Sequence, residues 1–384
     1  MRVAFDLRPA FKKNSRRRGI GTYTLQLFKA LIEAGRDTDL NLIGYGCGKD
    51  APRLPEGRYE YRSLFQLSKP SRLSWLPDRF LLPRQLAKDS AQIFHANDIT
   101  SIAFGAGVKT VVTVHDLIPL VFAEQMKQSI PWDYALALRE GFRRIRRVDL
   151  VVTDSVYSKS DVCRLLQIAP DKVTVVYPGC DSRFAPVDPE SAKRRIADEF
   201  GINQPFLFYV GGTDFRKNLL CLVDAFANLR RAGYEGLLLM AGETFHWNIE
   251  EVRQIRQRIA GHGIEPFIRF PGFVGEDLLV DLYSACEMFV FPSLYEGFGL
   301  PVLEAMSCGA LVLTTRVSSI PEVSGDAAVY FDPEDPGSLV RSFCELKADP
   351  VRQKELREQG KRRAATFTWN QAANQLLALY DSLL

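Results

Sequence analysis

Tyr295 to Ala310 read YEGFGLPVLEAMSCGA, with Glu296 and Glu304 placed around Gly297, Gly299 and Pro301. The seven residues before Leu294, EMFVFPS, are apolar and rich in β-formers, and they predict a buried parallel strand running into a loop. Pro301 suits the first turn of a helix, because its fixed φ is helical and its missing N–H had no partner to lose. Gly309 closes that helix. Glu296 is therefore expected on the loop and Glu304 on the first helical turn, with the N–H groups of Phe298, Gly299 and Leu300 between them. This is an anion site flanked by two carboxylates.

A helix N-terminus attracts phosphate, whereas carboxylates beside it repel one. A nucleotide sugar satisfies both groups. Its diphosphate takes the N–H groups and basic side chains, while one carboxylate accepts from ribose hydroxyls, as acidic residues do in dinucleotide folds, and the other from sugar hydroxyls. Taken alone, the pair is equally compatible with a solvated loop glutamate and a second one that favours the helix dipole.

EGFGLPVLEAMSCG, with its two glutamates eight positions apart, resembles the signature of family-4 retaining glycosyltransferases of the two-domain GT-B architecture. The resemblance implies that Glu296 contacts the transferred sugar. It also implies that Gly297, Phe298, Gly299 and Leu300 present backbone to sugar and phosphate, and that Glu304 binds ribose.

The rest of the chain is organised to match. Its 384 residues, 46% apolar and 25% charged, suffice for two domains with separate cores. YPGCDSRFAPVDPE, residues 177 to 190, reads as a proline-bearing boundary. Before it, RVAFDL, LNLIGY, QIFHAN, KTVVTVHD, LVVTDS and KVTVVYPG alternate with helical segments; after it, FLFYVGG, GLLLMAG, FIRFPGFV, EMFVFPS, ALVLTT and AAVYF do the same. Such alternation predicts an α/β protein of two doubly wound Rossmann-like domains, with ligands beyond the carboxyl ends of the strands. The expected division is residues 1–182 for an acceptor domain, a linker over about 178–199, and residues 200–365 for a donor domain, the two facing each other across a cleft. The final segment from about 368 to 384 is expected to be a helix, and the resemblance has it crossing back onto the first domain.

In FLFYVGGTDFRKNLLCLVDAF, Arg216 and Lys217 follow a strand and a glycine turn, with Asn218 expected to cap the next helix. Two basic residues on a turn can simply be solvated. Here the strand-to-helix context favours a grip on a diphosphate, Arg as a fork and Lys as a point charge. The resemblance assigns the basic pair that role. Relatives often carry an arginine directly after the first glycine of this loop, where this chain has Gly212, so the grip depends on Arg216 and Lys217. GFV, ending at Val274, is similar to the segment whose backbone meets the base.

KTVVTVHDLIPL puts His115 and Asp116 at the carboxyl end of a strand; the resemblance implies that His115 contacts the transferred sugar and need not act as a general base, and Asp116 is a candidate on the acceptor side. His95, ending IFHAN, is a second candidate on the acceptor side. SRRRGIGTYTLQLF places Gly19 and Gly21 before a helix, but Thr24 stands where a dinucleotide fingerprint needs its third glycine, which argues against a nicotinamide cofactor. The resemblance lets the Gly21 backbone approach the sugar diphosphate, and Lys12, Lys13, Arg16, Arg17 and Arg18 suit an anionic acceptor.

Up to residue 180 there are 28 Lys and Arg against 18 Asp and Glu, and beyond it 21 against 28. A basic first half suits an anionic partner, whether a membrane surface, a phosphorylated acceptor or nucleic acid. YALALREGFRRIRR, residues 134 to 147, carries Leu138, Phe142 and Ile145 on one helical stripe and five arginines around it, which fits a surface helix with a solvated basic face or adsorption to anionic lipid. No nucleic-acid recognition motif is present. The DTD string, Asp37 to Asp39, fits a turn better than a metal site. No cofactor or metal is expected. The start lacks a signal-peptide pattern, apolar stretches are too short to span a bilayer, and seven scattered cysteines suggest a reducing cytosol.

The expectation is a cytosolic or membrane-peripheral retaining hexosyltransferase acting on a nucleotide sugar and a glycan or lipid-linked acceptor. Likeness of VHDLIPL and YVGGTDFRKN to O-antigen and lipopolysaccharide-type mannosyltransferases favours GDP-mannose as donor. The alternatives are a GT-B epimerase and, more remotely, a nucleic-acid-binding protein.

Overall fold

A computed structural model describes residues 1–11, 19–47, 52–64, 76–126, 130–246 and 249–384, with backbone only at 76–79 and 246. Lys12, Lys13 and Arg16 to Arg18 lie outside the described residues. The chain forms two units, Met1–Gly179 with Thr368–Leu384, and Cys180–Phe367.

The first unit is built on seven parallel strands: β1 (Arg2–Asp6), β2 (Asn41–Gly46), β3 (Tyr59–Ser63), β4 (Ile93–Ala96), β5 (Lys109–Val114), β6 (Leu150–Thr153) and β7 (Val173–Val175). Their spatial order is β3-β2-β1-β4-β5-β6-β7. Sequence reading misses β3, because YEYRS is a half-exposed edge strand whose polar alternation hides it. On one face of the sheet, Leu27, Phe28 and Leu31 of the Gly19–Ala34 helix meet Ala373, Leu376 and Tyr380 of the Trp369–Leu383 helix. Thr368 caps the latter by accepting from the Gln371 amide at 3.2 Å. On the other face, Phe94, Val112 and Val151 pack with Leu86, Ile145 and Val162. The Trp132–Arg144 helix buries Leu138, with Ile145 beyond its end also buried, and keeps Phe142 half-buried, while Arg139, Arg143, Arg146 and Arg147 stay exposed.

His95 is a correction. It is fully buried in that first face, with Nδ1 against the Tyr380 hydroxyl at 2.5 Å and Nε2 against Thr113 Oγ1 at 2.8 Å. Burial pushes its pKa down to about 3, so the ring is neutral. It ties β4 and β5 to the C-terminal helix, and no acceptor can reach it.

The second unit holds six parallel strands: β8 (Phe206–Val210), β9 (Leu237–Ala241), β10 (Ile268–Gly272), β11 (Met288–Phe291), β12 (Val312–Thr315) and β13 (Val329–Phe331), ordered β10-β9-β8-β11-β12-β13. Much of the segment read as linker is a helix of this unit, Pro189–Phe200. Asp188 caps it through the Ser191 amide at 2.9 Å, Pro189 opens it, Ala192 and Ile196 are buried, and Arg195 forks onto Asp281. Proline thus marks a helix start here, not an unstructured stretch.

In each sheet the strand order reverses once, between β1 and β4 and between β8 and β11. Crevices beyond the carboxyl ends of strands at such switch points are where open α/β sheets bind ligands. No helix among the described residues is long and apolar enough to cross a membrane.

Candidate active site

At the β8/β11 switch point two loops leave neighbouring strands side by side. One runs from β8 through Gly211 and Gly212 into the short Phe215–Lys217 turn; the other runs from β11 through Ser293 and Glu296 into the Leu300–Ser307 helix. The Leu294 amide donates to the Arg216 carbonyl at 2.7 Å, so the loops are stitched together by their backbones.

Their side chains are joined more tightly still. Lys217 Nζ lies 2.6 Å from Glu296 Oε1 and Arg216 Nη1 lies 3.2 Å from Oε2, while the Ser293 hydroxyl donates to Oε1 at 2.7 Å. Arg216 also meets Asp214 at 2.8 Å and donates to the Tyr295 carbonyl. Lys217 and Glu296 are each only 8% exposed. Burial would raise the Glu296 pKa, but the adjacent ammonium and guanidinium outweigh it and hold the carboxylate below its ordinary range. Burial, with Arg216 beside it, draws the Lys217 ammonium below its ordinary value against the pull of Glu296. The carboxylate that looked hostile to phosphate is therefore already neutralised by the basic pair.

Three serines shape this loop, and the sequence reading flagged none of them. Ser318 Oγ accepts from the Glu296 amide at 2.8 Å, and Ser319 Oγ bonds both the Glu296 and Phe298 carbonyls at 2.9 Å. The signal was the pair SS two residues beyond ALVLTT, where β12 ends beside β11. Gly299 takes φ +108°, a conformation closed to most other residues, and turns the chain into the helix. There the Gly299 and Leu300 amides, with no turn of helix before them, have no helical acceptor, and Pro301 in the same turn has no N–H to leave unpaired. Gly309, at φ +77°, ends the helix and donates to the Met306 carbonyl.

Glu304 differs from expectation. It stands in the second turn of the Leu300–Ser307 helix, half-buried, and accepts from the Tyr283 hydroxyl at 3.1 Å. Burial, reinforced by Asp181, pushes its pKa up to about 8, although Tyr283 and Arg183 pull the other way. The two glutamates are thus opposites, one clamped as an ion and one poised to take or lose a proton near neutrality. Asn218 also departs from its expected role. Its backbone opens the Leu219–Arg231 helix at φ +55°, but its side chain donates to the Pro333 carbonyl instead of capping. Gly212 accepts at its carbonyl from the Tyr209 hydroxyl, and Val274 is half-buried just past β10.

In the first unit, His115 and Asp116 follow β5 directly. His115 Nδ1 is 2.6 Å from Asp154 Oδ2, at the end of β6, and Nε2 is 3.3 Å from the Asn97 carbonyl, at the end of β4. Asp154 went unnoticed in LVVTDS, where only its position at a strand end could have flagged it. Asp116 accepts from the Ile118 amide at 3.1 Å, a local turn bond. Gly21 is buried in the first turn of the Gly19–Ala34 helix, inside it and not ahead of it. Asp37 and Asp39 sit in an exposed turn, and no group of three or more His, Cys, Asp or Glu among the described residues could hold a metal ion.

Residues 192–363 match the glycosyl transferases group 1 family, and residues 17–184 match glycosyltransferase family 4. The chain belongs to the family-4, group 1 glycosyltransferases. It is 31% identical over 234 residues to O-antigen chain mannosyltransferase B of Escherichia coli, an alignment covering 61% of each protein. It is 30% identical to alpha-maltose-1-phosphate synthase of Mycolicibacterium smegmatis, over 74% of this chain and 75% of that one. The crystal structure of Anabaena HepE with UDP and glucose superposes over 100% of both chains with a TM-score of 0.75 at 17% identity, which shows the shared fold. This glycosyltransferase accordingly has the GT-B plan of two Rossmann-like units.

Proposed function

We propose that this glycosyltransferase moves a hexosyl unit, with retention of configuration, from a nucleotide diphosphate sugar to a hydroxyl of a glycan or lipid-linked acceptor in cell-surface polysaccharide synthesis. The observation that carries the reading is the Arg216–Lys217–Glu296 cluster beside the Gly299–Leu300 helix start at the β8/β11 switch point. In this assignment the diphosphate meets Arg216, Lys217 and the helix N-terminus, which offset the charge that builds on the departing nucleotide without a divalent cation. Glu296, held ionised, accepts from hydroxyls of the sugar. Glu304 accepts from the ribose, and the Val274 segment lies against the base. The O-antigen mannosyltransferase relative supports mannose as the transferred sugar, and GDP-mannose is the donor proposed.

Thermal melts with GDP-, UDP- and TDP-sugars in EDTA test this directly. A donor present at a hundred times its Kd stabilises the fold by about 2.7 kcal/mol, so GDP-mannose should raise the melting temperature by several degrees and support turnover in EDTA. A shift with UDP-sugars alone would replace the donor. Activity abolished by EDTA and restored by Mg²⁺ would overturn the metal-free reading.

Peripheral adsorption to anionic lipid is a second proposal, favoured by the Trp132–Arg144 helix. It exposes Arg139 and Arg143 on the face that also carries Trp132 and Leu136, which are 57% and 42% exposed. Each basic residue near an anionic surface contributes about 1 kcal/mol. Co-sedimentation should therefore occur with phosphatidylglycerol vesicles and weaken in R139E/R143E, whereas equal binding to neutral vesicles would remove the electrostatic account.

A further inference from the structure

We propose that Asp154 is a positioning residue that fixes His115 as a doubly protonated imidazolium, so that His115 serves as a charged hydrogen-bond donor and not as a proton acceptor. This rests on the glycosyltransferase reading above, together with the sugar contact that the family resemblance implies for His115.

The geometry leaves the ring little choice. Nδ1 faces the Asp154 carboxylate at 2.6 Å and Nε2 faces the Asn97 carbonyl at 3.3 Å. With Asp154 as a carboxylate both partners are acceptors, so a ring carrying a proton on each nitrogen satisfies both. The Nε2–H contact is the longer one, which leaves that proton available to an incoming oxygen. Asp154 itself is 5% exposed, its Oδ1 has no hydrogen-bond partner, and among the described residues no lysine or arginine pairs with it. A carboxylate buried without a cation is strongly disfavoured, and His115 is the group that can supply one.

Simpler employment for Asp154 is already taken. The Val156–Leu166 helix that follows is capped by Ser155, whose hydroxyl accepts from the Ser158 amide at 2.9 Å, and Ser158 in turn donates to the His115 carbonyl at 3.1 Å. The other groups facing the ring point the same way. Burial opposes its charge, but Asp154 beyond β6, Asp116 on its own loop and Asp98 beyond β4 together raise the His115 pKa above its ordinary value. Tyr23 of the Gly19–Ala34 helix meets the ring edge-on at 4.6 Å, and His95 behind it is neutral.

The test is Asp154→Asn in the full chain, read by ¹⁵N-histidine NMR and by the pH dependence of kcat/KM. Four histidines make the spectrum tractable, and His115→Gln identifies the His115 signals. In the parent, His115 should titrate above pH 6.5; in Asp154→Asn it should titrate at least one pH unit lower. The alkaline limb of kcat/KM should move down with it, so that activity lost tenfold or more at pH 7.5 is partly recovered at pH 6. Asp154→Glu should restore the limb, and Asp154→Ser, which also lacks the carboxylate, serves in place of Asp154→Asn if that variant melts early. An unmoved His115 titration in the variant without the carboxylate overturns the pairing. A titration that shifts while the pH–rate limb stays put overturns the charged-donor role. A fully active His115→Gln would instead remove His115 from the reaction, and the NMR result separates that failure from a failed pairing.

Discussion

Lys217→Ala should lower kcat/KM by at least about a hundredfold, the scale seen when one preorganised charge-stabilising donor is removed from an active site. The same substitution should destabilise the fold by only about 1–3 kcal/mol. Glu296 loses its 2.6 Å ammonium but keeps Arg216 and the Ser293 hydroxyl, so it is not left as a bare buried charge. Steady-state kinetics and denaturant melts on one preparation separate the two effects. A rate within threefold of the parent would return Lys217 to a purely structural ion pair. Glu296→Gln is the harsher change for the fold, because it strands the buried ammonium, and the double variant should recover part of that loss.

Glu304→Ala should weaken donor binding by about 1.5–3 kcal/mol, the range for a hydrogen bond to a charged group. Undiminished affinity would end the ribose assignment. The pH dependence sharpens the test. Ribose hydroxyls donate to the ionised form, and burial with Asp181 nearby has pushed the Glu304 pKa up to about 8. Donor affinity should therefore rise with pH towards 8 and level off above it, a trend that Glu304→Gln abolishes. Stability runs in the opposite sense. A carboxyl whose folded pKa exceeds its unfolded value binds its proton more tightly when folded, so its contribution is complete below the unfolded pKa near 4.5 and is lost as pH rises through 8. Glu304→Gln should thus melt higher than the parent at pH 9 and show no such advantage at pH 4. Equal melting at pH 9 would mean the carboxyl is not desolvated.

Much of this was readable in the residue order. EMFVFPS and FLFYVGG announced buried parallel strands by their continuous apolar runs, and Pro301 and Gly309 bracketed a helix that forms as Leu300–Ser307. β3 escaped because an edge strand need be apolar on neither side, and the Pro189–Phe200 helix was lost inside a proline-rich boundary. His95 and His115 looked alike, each a histidine at the carboxyl end of a strand. One is sealed beneath Tyr380, some 285 residues along the chain, and the other is paired with Asp154.

The sequence by itself determined the family-4 character of the chain, the two Rossmann-like series, the positions of Arg216, Lys217 and Glu296 on loops beyond strand ends, and that of Glu304 on the helix that follows. Those features are local, since apolar periodicity, proline and glycine act within a few residues. Only the tertiary structure decided what each charge does. Pairing β8 with β11 brings Lys217 onto Glu296 across 79 positions of sequence and keeps that carboxylate ionised. Glu304, eight residues further on, meets a tyrosine in place of a cation and keeps its proton to about pH 8. Desolvation and the nearest opposite charge set the state of a buried acid, and both are fixed by which strands become neighbours.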